Sequence, residues 1–199
     1  MSDPLKHPKA ELAAARRAID SMKSAKTFAE FDSSWRTYLF CIEKLWKKTE
    51  AACALVRNKF EPWQAKYNRL RSDDLLLSYL QQARNADNHS IQDFTDIKPH
   101  TTQLRTIDPK PGQTHFIKSI SWGPNGEMIY EGDPVLVVEI PPHPVAVPVK
   151  NRGVMYEPPS THLDQLIDNQ HPTNLAEIGW DFYRTFLESV EQKFFNTAK

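Results

Sequence analysis

The sequence predicts an α+β fold, mainly α, in which an antiparallel helical bundle carries a small inserted antiparallel β-sheet or hairpin. In the first and last parts of the chain, apolar residues recur at intervals of three and four, which is the helical period. In the middle they alternate with the period of a strand. The expected organisation is a single domain over residues 1–199, with bundle helices in 1–94, a β insertion in 113–150 and C-terminal helices in 160–199.

Two helices are expected before Pro62. The first runs from Lys9 to about Lys23, after a loose start over residues 1–8. The second begins near Thr27 with a stripe of large apolar residues that are expected to form core. Pro62 is expected to end or bend this second helix, because proline lacks a backbone N–H.

A third helix is expected over residues 72–94, with Ser72 as its N-cap and acidic residues in its first turn. At about 100° per residue, its Leu and Ala side chains fall on one arc of the helix. The opposite arc carries four polar residues, Arg84, Asn85, Asn88 and His89. Leu77 is an exception within the polar arc, which hints at a contact there.

A polar, proline-punctuated linker or loop is expected over residues 95–112. Three predicted strands follow, at residues 115–122, 127–131 and 135–140. The turn sequence Gly-Pro-Asn-Gly at 123–126 predicts a hairpin of the first two strands, with the third beside it. Prolines then break the last strand, and residues 145–149 are expected to continue it at a sheet edge.

The C-terminal region is expected to return to helix. Residues 161–167 are predicted as a short helix, and Pro172 opens a longer one with an apolar stripe that should pack on the bundle. Asn174, followed three residues later by Glu177, resembles a capping box at its start.

The charge of the chain is balanced but unevenly distributed. The formal net charge is zero at pH 7, which argues against indiscriminate nucleic-acid binding. Residues 1–113 hold 19 Lys and Arg against 14 Asp and Glu, whereas residues 114–199 hold 6 against 11. The basic helical part suits RNA, and it equally suits contact with the acidic part.

The two cysteines, Cys41 and Cys53, lie on one predicted helix at a separation of about 18 Å, too far for a disulfide. We expect buried thiols in a reducing compartment. The N-terminus has no apolar signal region and no run resembles a membrane span, so a cytoplasmic protein is expected. No spacing fits a zinc site or a phosphate-binding loop, so neither a metal nor a cofactor is expected.

The most informative stretch is Arg84-Asn85-Ala86-Asp87-Asn88-His89. A guanidinium can bind two phosphate oxygens at once, and an imidazole can move a proton near neutral pH. Asn85 and His89 are four residues apart, so they lie one turn apart on the helix. These residue types predict a site for an RNA phosphate and its ribose, with Asn85 and Asn88 as substrate-binding candidates.

The pattern Arg84-Asn85-x-x-x-His89, late on an amphipathic helix, resembles the signature of HEPN domains. These are helical-bundle RNases and RNA-binding modules of bacterial defence, toxin–antitoxin and CRISPR systems. The resemblance covers one helix. It implies a homodimer in which two motif helices meet at a shared cleft, and RNA cleavage without a metal. It also implies that Arg84 and His89 are the catalytic pair and Asn85 the polar residue after the arginine.

In the expected mechanism, neutral His89 of one copy withdraws the proton of a ribose 2′-OH, which attacks the adjacent phosphate. Arg84 stabilises the charge on the phosphoryl oxygens. Protonated His89 of the other copy donates to the leaving 5′-oxygen, and the product carries a 2′,3′-cyclic phosphate. Because the two histidines need opposite protonation states, this activity requires a dimer.

Other interpretations stay open. The four polar residues are also typical of a solvated helix face, and a histidine near a helix C-terminus is favoured by the helix dipole alone. The chain would then be a non-catalytic interaction module that holds a protein partner, such as an antitoxin, through its strands and the proline-rich residues 141–148. A small-molecule sensor between helices and strands is a third interpretation, based only on the many aromatic residues.

Overall fold

The structure is a computed structural model that describes residues 3–89, 95–107 and 114–196, with the backbone alone at 87–89. The chain forms two compact units, one made of Met1–Ile97 with Pro144–Lys199 and the other of Lys98–His143. All five α-helices of the described residues lie in the first unit, and every sheet has two strands. The prediction of an α+β fold, mainly α, is therefore confirmed.

Helices α1 (Lys6–Ser24) and α2 (Phe28–Ala52) pack along each other in the first unit. Thr27 is the N-cap of α2, as predicted, and its Oγ1 accepts a hydrogen bond from the Glu30 N–H. The apolar stripe of α2 lies in the core, where Trp35, Leu45 and Trp46 are at most 1% exposed. Burial of these large side chains supplies much of the hydrophobic stabilisation of the bundle.

Pro62 does not end a helix, so this part of the prediction is wrong. Helix α2 ends at Ala52, a 3-10 turn follows at Ala54–Val56, and α3 (Arg57–Asp73) continues through Pro62. The apolar stripe stops at the turn, where Leu55 is fully exposed. An exposed proline in the second turn removes one intrahelical hydrogen bond, a loss that the rest of α3 tolerates.

Helices α4 (Leu75–His89) and α5 (Pro172–Val190) complete the bundle, and a π-helical turn at Glu191–Phe195 follows α5. Helix α5 packs on α1, α2 and α4, which confirms the predicted return of the C-terminal helix. Both cysteines are free and buried, as expected. Burial raises the pKa of the Cys53 thiol to about 11.

The predicted capping box at the start of α5 is wrong. The N-cap is His171, whose Nδ1 accepts a hydrogen bond from the Thr173 N–H. Glu177 instead forms ion pairs with Arg16 and Lys23 of α1, and the Arg16 hydrogen bonds keep its pKa below the ordinary value. Cross-helix pairing outweighs the local capping pattern here.

The described residues form ten short strands. They are β1 (Thr95–Lys98), β2 (Thr101–Thr106), β3 (Ile117–Trp122), β4 (Met128–Gly132), β5 (Val135–Ile140), β6 (His143–Ala146), β7 (Val149–Asn151), β8 (Val154–Tyr156), β9 (Thr161–His162) and β10 (Gln165–Leu166). The first unit contains the pairs β7–β8 and β9–β10, together with all of the pair β1–β6 except the end residues Lys98 and His143. Strand β6 follows the proline break, close to the expected edge continuation.

The second unit contains two antiparallel ribbons, β2–β5 and β3–β4. The β3–β4 hairpin is confirmed, and its turn places Gly126 at a φ of 79°, which glycine adopts without strain. Strand β5 pairs with β2 rather than with the hairpin, so residues 95–107 are not the linker that was expected. The polar Thr-rich sequence of β2 gives little alternation, which explains the missed strand.

The predicted short helix at residues 161–167 is wrong, because β9 and β10 form a hairpin there. Leu163 and Asp164, between the strands, have φ values of 48° and 63°. Two consecutive left-handed residues fit a tight hairpin turn and cannot belong to an α-helix. No helix among the described residues is long and apolar enough to cross a membrane.

Candidate functional site

The helix that carries the polar motif, α4, begins at Leu75. Ser72 is not its N-cap, because Ser72 lies inside α3 and its Oγ donates back to the Asn68 carbonyl over 3.1 Å. Asp74 performs this role, since its Oδ1 accepts a hydrogen bond from the Leu77 N–H over 2.9 Å. The expected end of the helix lies in residues 90–94, which are outside the described residues.

Helix α4 is anchored by a broad apolar face. Its fully or almost fully buried residues are Leu76, Leu77, Tyr79, Leu80, Ala83 and Ala86. Leu77 is therefore a core residue, which explains the apolar exception in the predicted polar arc. Leu75, expected on the apolar arc, is 53% exposed. The core-facing arc of α4 is thus rotated relative to the predicted one.

This rotation changes the position of Arg84. Arg84 follows Leu77 by two helical turns, so both lie on the same side of α4. Its guanidinium carbon is 5.5 Å from the ring centre of Phe40 on α2, and the residue is half-buried. The expectation that Arg84 lies on the face opposite the core is therefore wrong. Arg84 lies at the margin of the buried face, against an aromatic ring.

Asn85 orients this arginine. Arg84 Nη1 donates a hydrogen bond to Asn85 Oδ1 over 3.2 Å, and Asn85 is also half-buried. The structure thus brings together two of the four predicted site residues. Asn88 and His89 belong to the last turn of α4 by their backbone, but their side chains are outside the described residues. Their roles stay predictions.

The surface of α2 around Phe40 includes a second arginine, Arg36, one turn earlier. Arg36 Nε donates to Asp32 Oδ2 over 2.7 Å, and the other oxygen of Asp32 accepts from Thr95 Oγ1 over 2.7 Å. Asp32 therefore offsets the charge of Arg36. Arg84, on α4, rests on the ring of Phe40 and donates to Asn85.

The opposite flank of α4 is held by the chain segment that precedes and forms β7. Tyr79 Oη donates to the Val147 carbonyl over 2.9 Å, and Asn151 Nδ2 donates to Gln82 Oε1 over 2.6 Å. Burial raises the pKa of Tyr79, so this phenol stays protonated and remains a donor. These contacts fix the rotation of α4 that places Arg84 against Phe40.

A buried arginine on α3 was not predicted from the sequence. Arg71 is 4% exposed, donates from Nε to Tyr183 Oη over 3.1 Å and from Nη2 to Glu43 Oε2 over 2.5 Å. Its guanidinium carbon lies 4.2 Å from the ring centre of Trp46. One signal could have revealed it, since Arg71 follows the buried Phe60 by eleven residues and so shares its helix face.

A separate open pocket of about 400 Å³ lies at the junction of α2 and α3. It is lined by Glu50, Ala51, Ala54, Arg57, Phe60, Glu61 and Gln64, none of which is on α4. Glu50 Oε1 already accepts hydrogen bonds from Trp46 Nε1 and Gln64 Nε2. Within the described part of the chain, no three His, Cys, Asp or Glu side chains form a metal-binding group.

Comparison with known proteins gives no relative for this chain: no family model, curated protein or solved structure matches it.

Proposed function

We propose that this chain is an RNA-binding endoribonuclease of the HEPN type, which acts as a homodimer and needs no metal ion. The observation that carries the proposal is the placement of Arg84. This residue lies at the margin of the buried face of α4, rests on Phe40 and is hydrogen-bonded to Asn85. A phosphate is the ligand class that suits a planar, permanently charged donor group.

The surroundings of Arg84 favour catalysis because they restrict the side chain before RNA arrives. An arginine held against a ring and an amide loses less conformational freedom on binding than a freely moving one. A pre-oriented cation at developing negative charge typically accelerates a reaction by about 10²–10³. Asn85 is then a positioning residue for Arg84.

His89 would supply the proton transfers at the opposite end of the same motif. One positioned proton transfer contributes about 10²–10⁴ in rate, and the in-line reaction needs one base and one acid. A single α4 provides one His89, so the second must come from another copy. The proposal therefore includes a homodimer in which the C-terminal ends of two α4 helices approach each other, with RNA as the substrate.

The test is cleavage of end-labelled RNA by the purified protein in the presence of EDTA. We expect products with 2′,3′-cyclic phosphate ends, and a rate at least about 100-fold lower for His89→Ala and Arg84→Gln. Arg84→Lys keeps the charge but cannot donate two hydrogen bonds to one phosphate in the bidentate geometry, so its cleavage rate should also be lowered.

Arg69→Ala is the matched control, because it removes one exposed arginine from α3 and leaves α4 unchanged. Circular dichroism and thermal unfolding establish that each variant is folded. Cleavage at equal rates by the wild type, His89→Ala and Arg84→Gln would remove the nuclease mechanism. RNA binding without cleavage, lost in Arg84→Gln, would reduce the function to RNA recognition.

A second candidate is a non-catalytic interaction module that uses the β strands and the proline-rich residues 141–148. It is favoured by one observation, namely that no described residue of the second unit is buried. Exposed apolar side chains on a ribbon are typical of an interaction surface. RNA binding at two salt concentrations distinguishes the candidates, since a protein without detectable affinity at low salt does not recognise RNA.

A further inference from the structure

The second unit, Lys98–His143, has no buried residue among those described. Eight large apolar side chains are between 48% and 68% exposed: Ile107, Phe116, Ile117, Ile120, Trp122, Ile129, Leu136 and Val137. Two-stranded ribbons are marginally stable in water by themselves. A ribbon with so many uncovered apolar residues gains stability from further strands.

The place for a further strand is the outer edge of β5, the edge that does not pair with β2. Five of the six residues of β5 are apolar, with Glu139 as the exception, which is typical of a strand inside a sheet. Yet within residues 95–107 and 114–196, β5 pairs only with β2. Strand β2 has one apolar residue, Leu104, and suits a solvated edge. Strand β5 thus has the sequence of an inner strand of a sheet, and β2 has the sequence of an outer strand.

Apart from the single charge of Glu139, strand β5 also lacks the features that protect natural sheet edges. Its ladder with β2 runs through six consecutive residue pairs without a register shift, whereas β3 and β4 have an irregularity between Ile117 and Ser119. It has neither a proline nor a lysine. Bulges, prolines and lysines are the usual means of blocking strand addition. The open edge of β5 therefore presents continuous backbone donors and acceptors.

We infer that the occupant of this edge is β5 of a second copy of the chain, in antiparallel orientation. The result is a four-stranded sheet with the order β2–β5–β5–β2, in which the apolar strands are central and the polar strands are outermost. A two-fold axis near Val137 and Val138 makes the contact self-complementary, as most homodimer interfaces are. When the axis lies at either of these residues or between them, the two Glu139 carboxylates do not lie opposite each other.

Electrostatics favours a second copy over a charged partner. The formal net charge of the chain is zero, so two copies approach without long-range repulsion. Strand β5 offers a single charge, which gives little basis for selecting an acidic or basic peptide. The self-pairing of β5 does not depend on RNA cleavage at Arg84.

The test combines sedimentation velocity with hydrogen exchange on the full chain. We expect a dimer at protein concentrations of about 1–100 µM and slower exchange of the β5 amides as the concentration rises. The double variant Val137→Lys/Val138→Lys brings like charges together across the two-fold axis and should weaken the dimer at least about 100-fold. Thr102→Lys/Gln103→Lys adds the same charge to β2 of the same ribbon and should leave the dimer intact.

Three results would overturn this inference: a monomeric wild type, β5 amides that exchange independently of concentration, or equal dissociation of both double variants. The first of these results includes the case in which a monomeric chain binds a different protein at β5. Hydrogen exchange on the wild type tests the pairing of β5 between two copies even if the β5 variant does not fold. If the Val137→Lys/Val138→Lys variant sediments as a monomer and still cleaves RNA at the wild-type rate, the strand pairing stands and the two-histidine mechanism fails.

Discussion

His162 Nδ1 lies 2.9 Å from Asp74 Oδ1, and the two side chains are 13% and 6% exposed. Because an ionised carboxylate cannot donate, the imidazole proton is on Nδ1. The same carboxylate accepts from the Leu77 N–H over 2.9 Å and from the Leu163 N–H over 2.7 Å. Asp74 therefore connects the start of α4 to the β9–β10 hairpin, and it fixes the helix on which Arg84 lies.

Replacing Asp74 should destabilise the protein strongly. Asp74→Ala leaves the Leu77 and Leu163 N–H groups and His162 without their acceptor, at an expected cost of about 2–4 kcal/mol in the free energy of unfolding. The neighbouring Asp73→Ala removes an exposed carboxylate and should cost less than about 0.5 kcal/mol. Urea denaturation of both variants measures the difference, and equal midpoints would contradict this role of Asp74.

The same contacts predict an acid-sensitive stability. Burial raises the pKa of Asp74, but hydrogen bonds from His162, Leu163 and Leu77 outweigh it, so the pKa lies below the ordinary value of 3.8. A carboxyl with a lowered folded-state pKa stabilises the protein fully above its unfolded-state pKa, and this stabilisation is lost as the pH falls through the folded-state pKa.

Urea midpoints measured between about pH 7 and pH 2 should therefore fall more steeply for the wild type than for Asp74→Asn. The Asn variant is less stable at neutral pH, and the two curves converge in acid. Parallel curves over the whole range would show that Asp74 does not contribute to the acid dependence.

The residues of α4 show how far the sequence could predict the site. Periodicity predicted the helix, because burial imposes a period on apolar residues, and a run of apolar residues predicted the strand β5. It did not predict the rotation of α4, which depends on contacts from Asn151 and Val147 that are distant in sequence. An arc drawn from Leu and Ala alone placed Arg84 opposite the core, whereas long-range packing places it beside Phe40.

Polar contacts were the least predictable. Arg71 and Asp74 acquire their roles from partners 112 and 88 residues away, Tyr183 and His162. The hairpin at Leu163 and Asp164 needs two left-handed residues, and neither is a glycine, the residue that adopts this backbone conformation most readily. Local sequence carries no signal for such contacts, so they emerge only from the folded chain.

Arg71→Ala is expected to destabilise the bundle by about 3–5 kcal/mol, because it leaves the Glu43 carboxylate, 15% exposed, without its cation. It also removes the guanidinium packed on Trp46. Arg69→Ala, two residues earlier on the exposed side of α3, is the matched control and should change stability by less than about 0.5 kcal/mol. Chemical denaturation measures both, and a small effect of Arg71→Ala would show that the ion pair is dispensable.

Helix α5 closely approaches α2 at Gly179. A Cβ at this position would lie 2.5 Å from Tyr38 Oη and 2.6 Å from Leu80 Cδ1. Gly179→Ala gains about 1 kcal/mol in helix propensity but introduces overpacking that costs about 1–3 kcal/mol. We expect net destabilisation, because all three residues are buried in the core.

Tyr38→Phe provides the decisive comparison. The Tyr38 hydroxyl is buried and makes no hydrogen bond within the described part of the chain, so removing it should stabilise the protein by about 1 kcal/mol. It also removes the atom nearest to the new Cβ. In a double-mutant cycle, Gly179→Ala should therefore cost less in the Tyr38→Phe background, with a coupling of about 0.5–2 kcal/mol. Strictly additive effects would show that the Tyr38 hydroxyl does not limit the space for a side chain at Gly179.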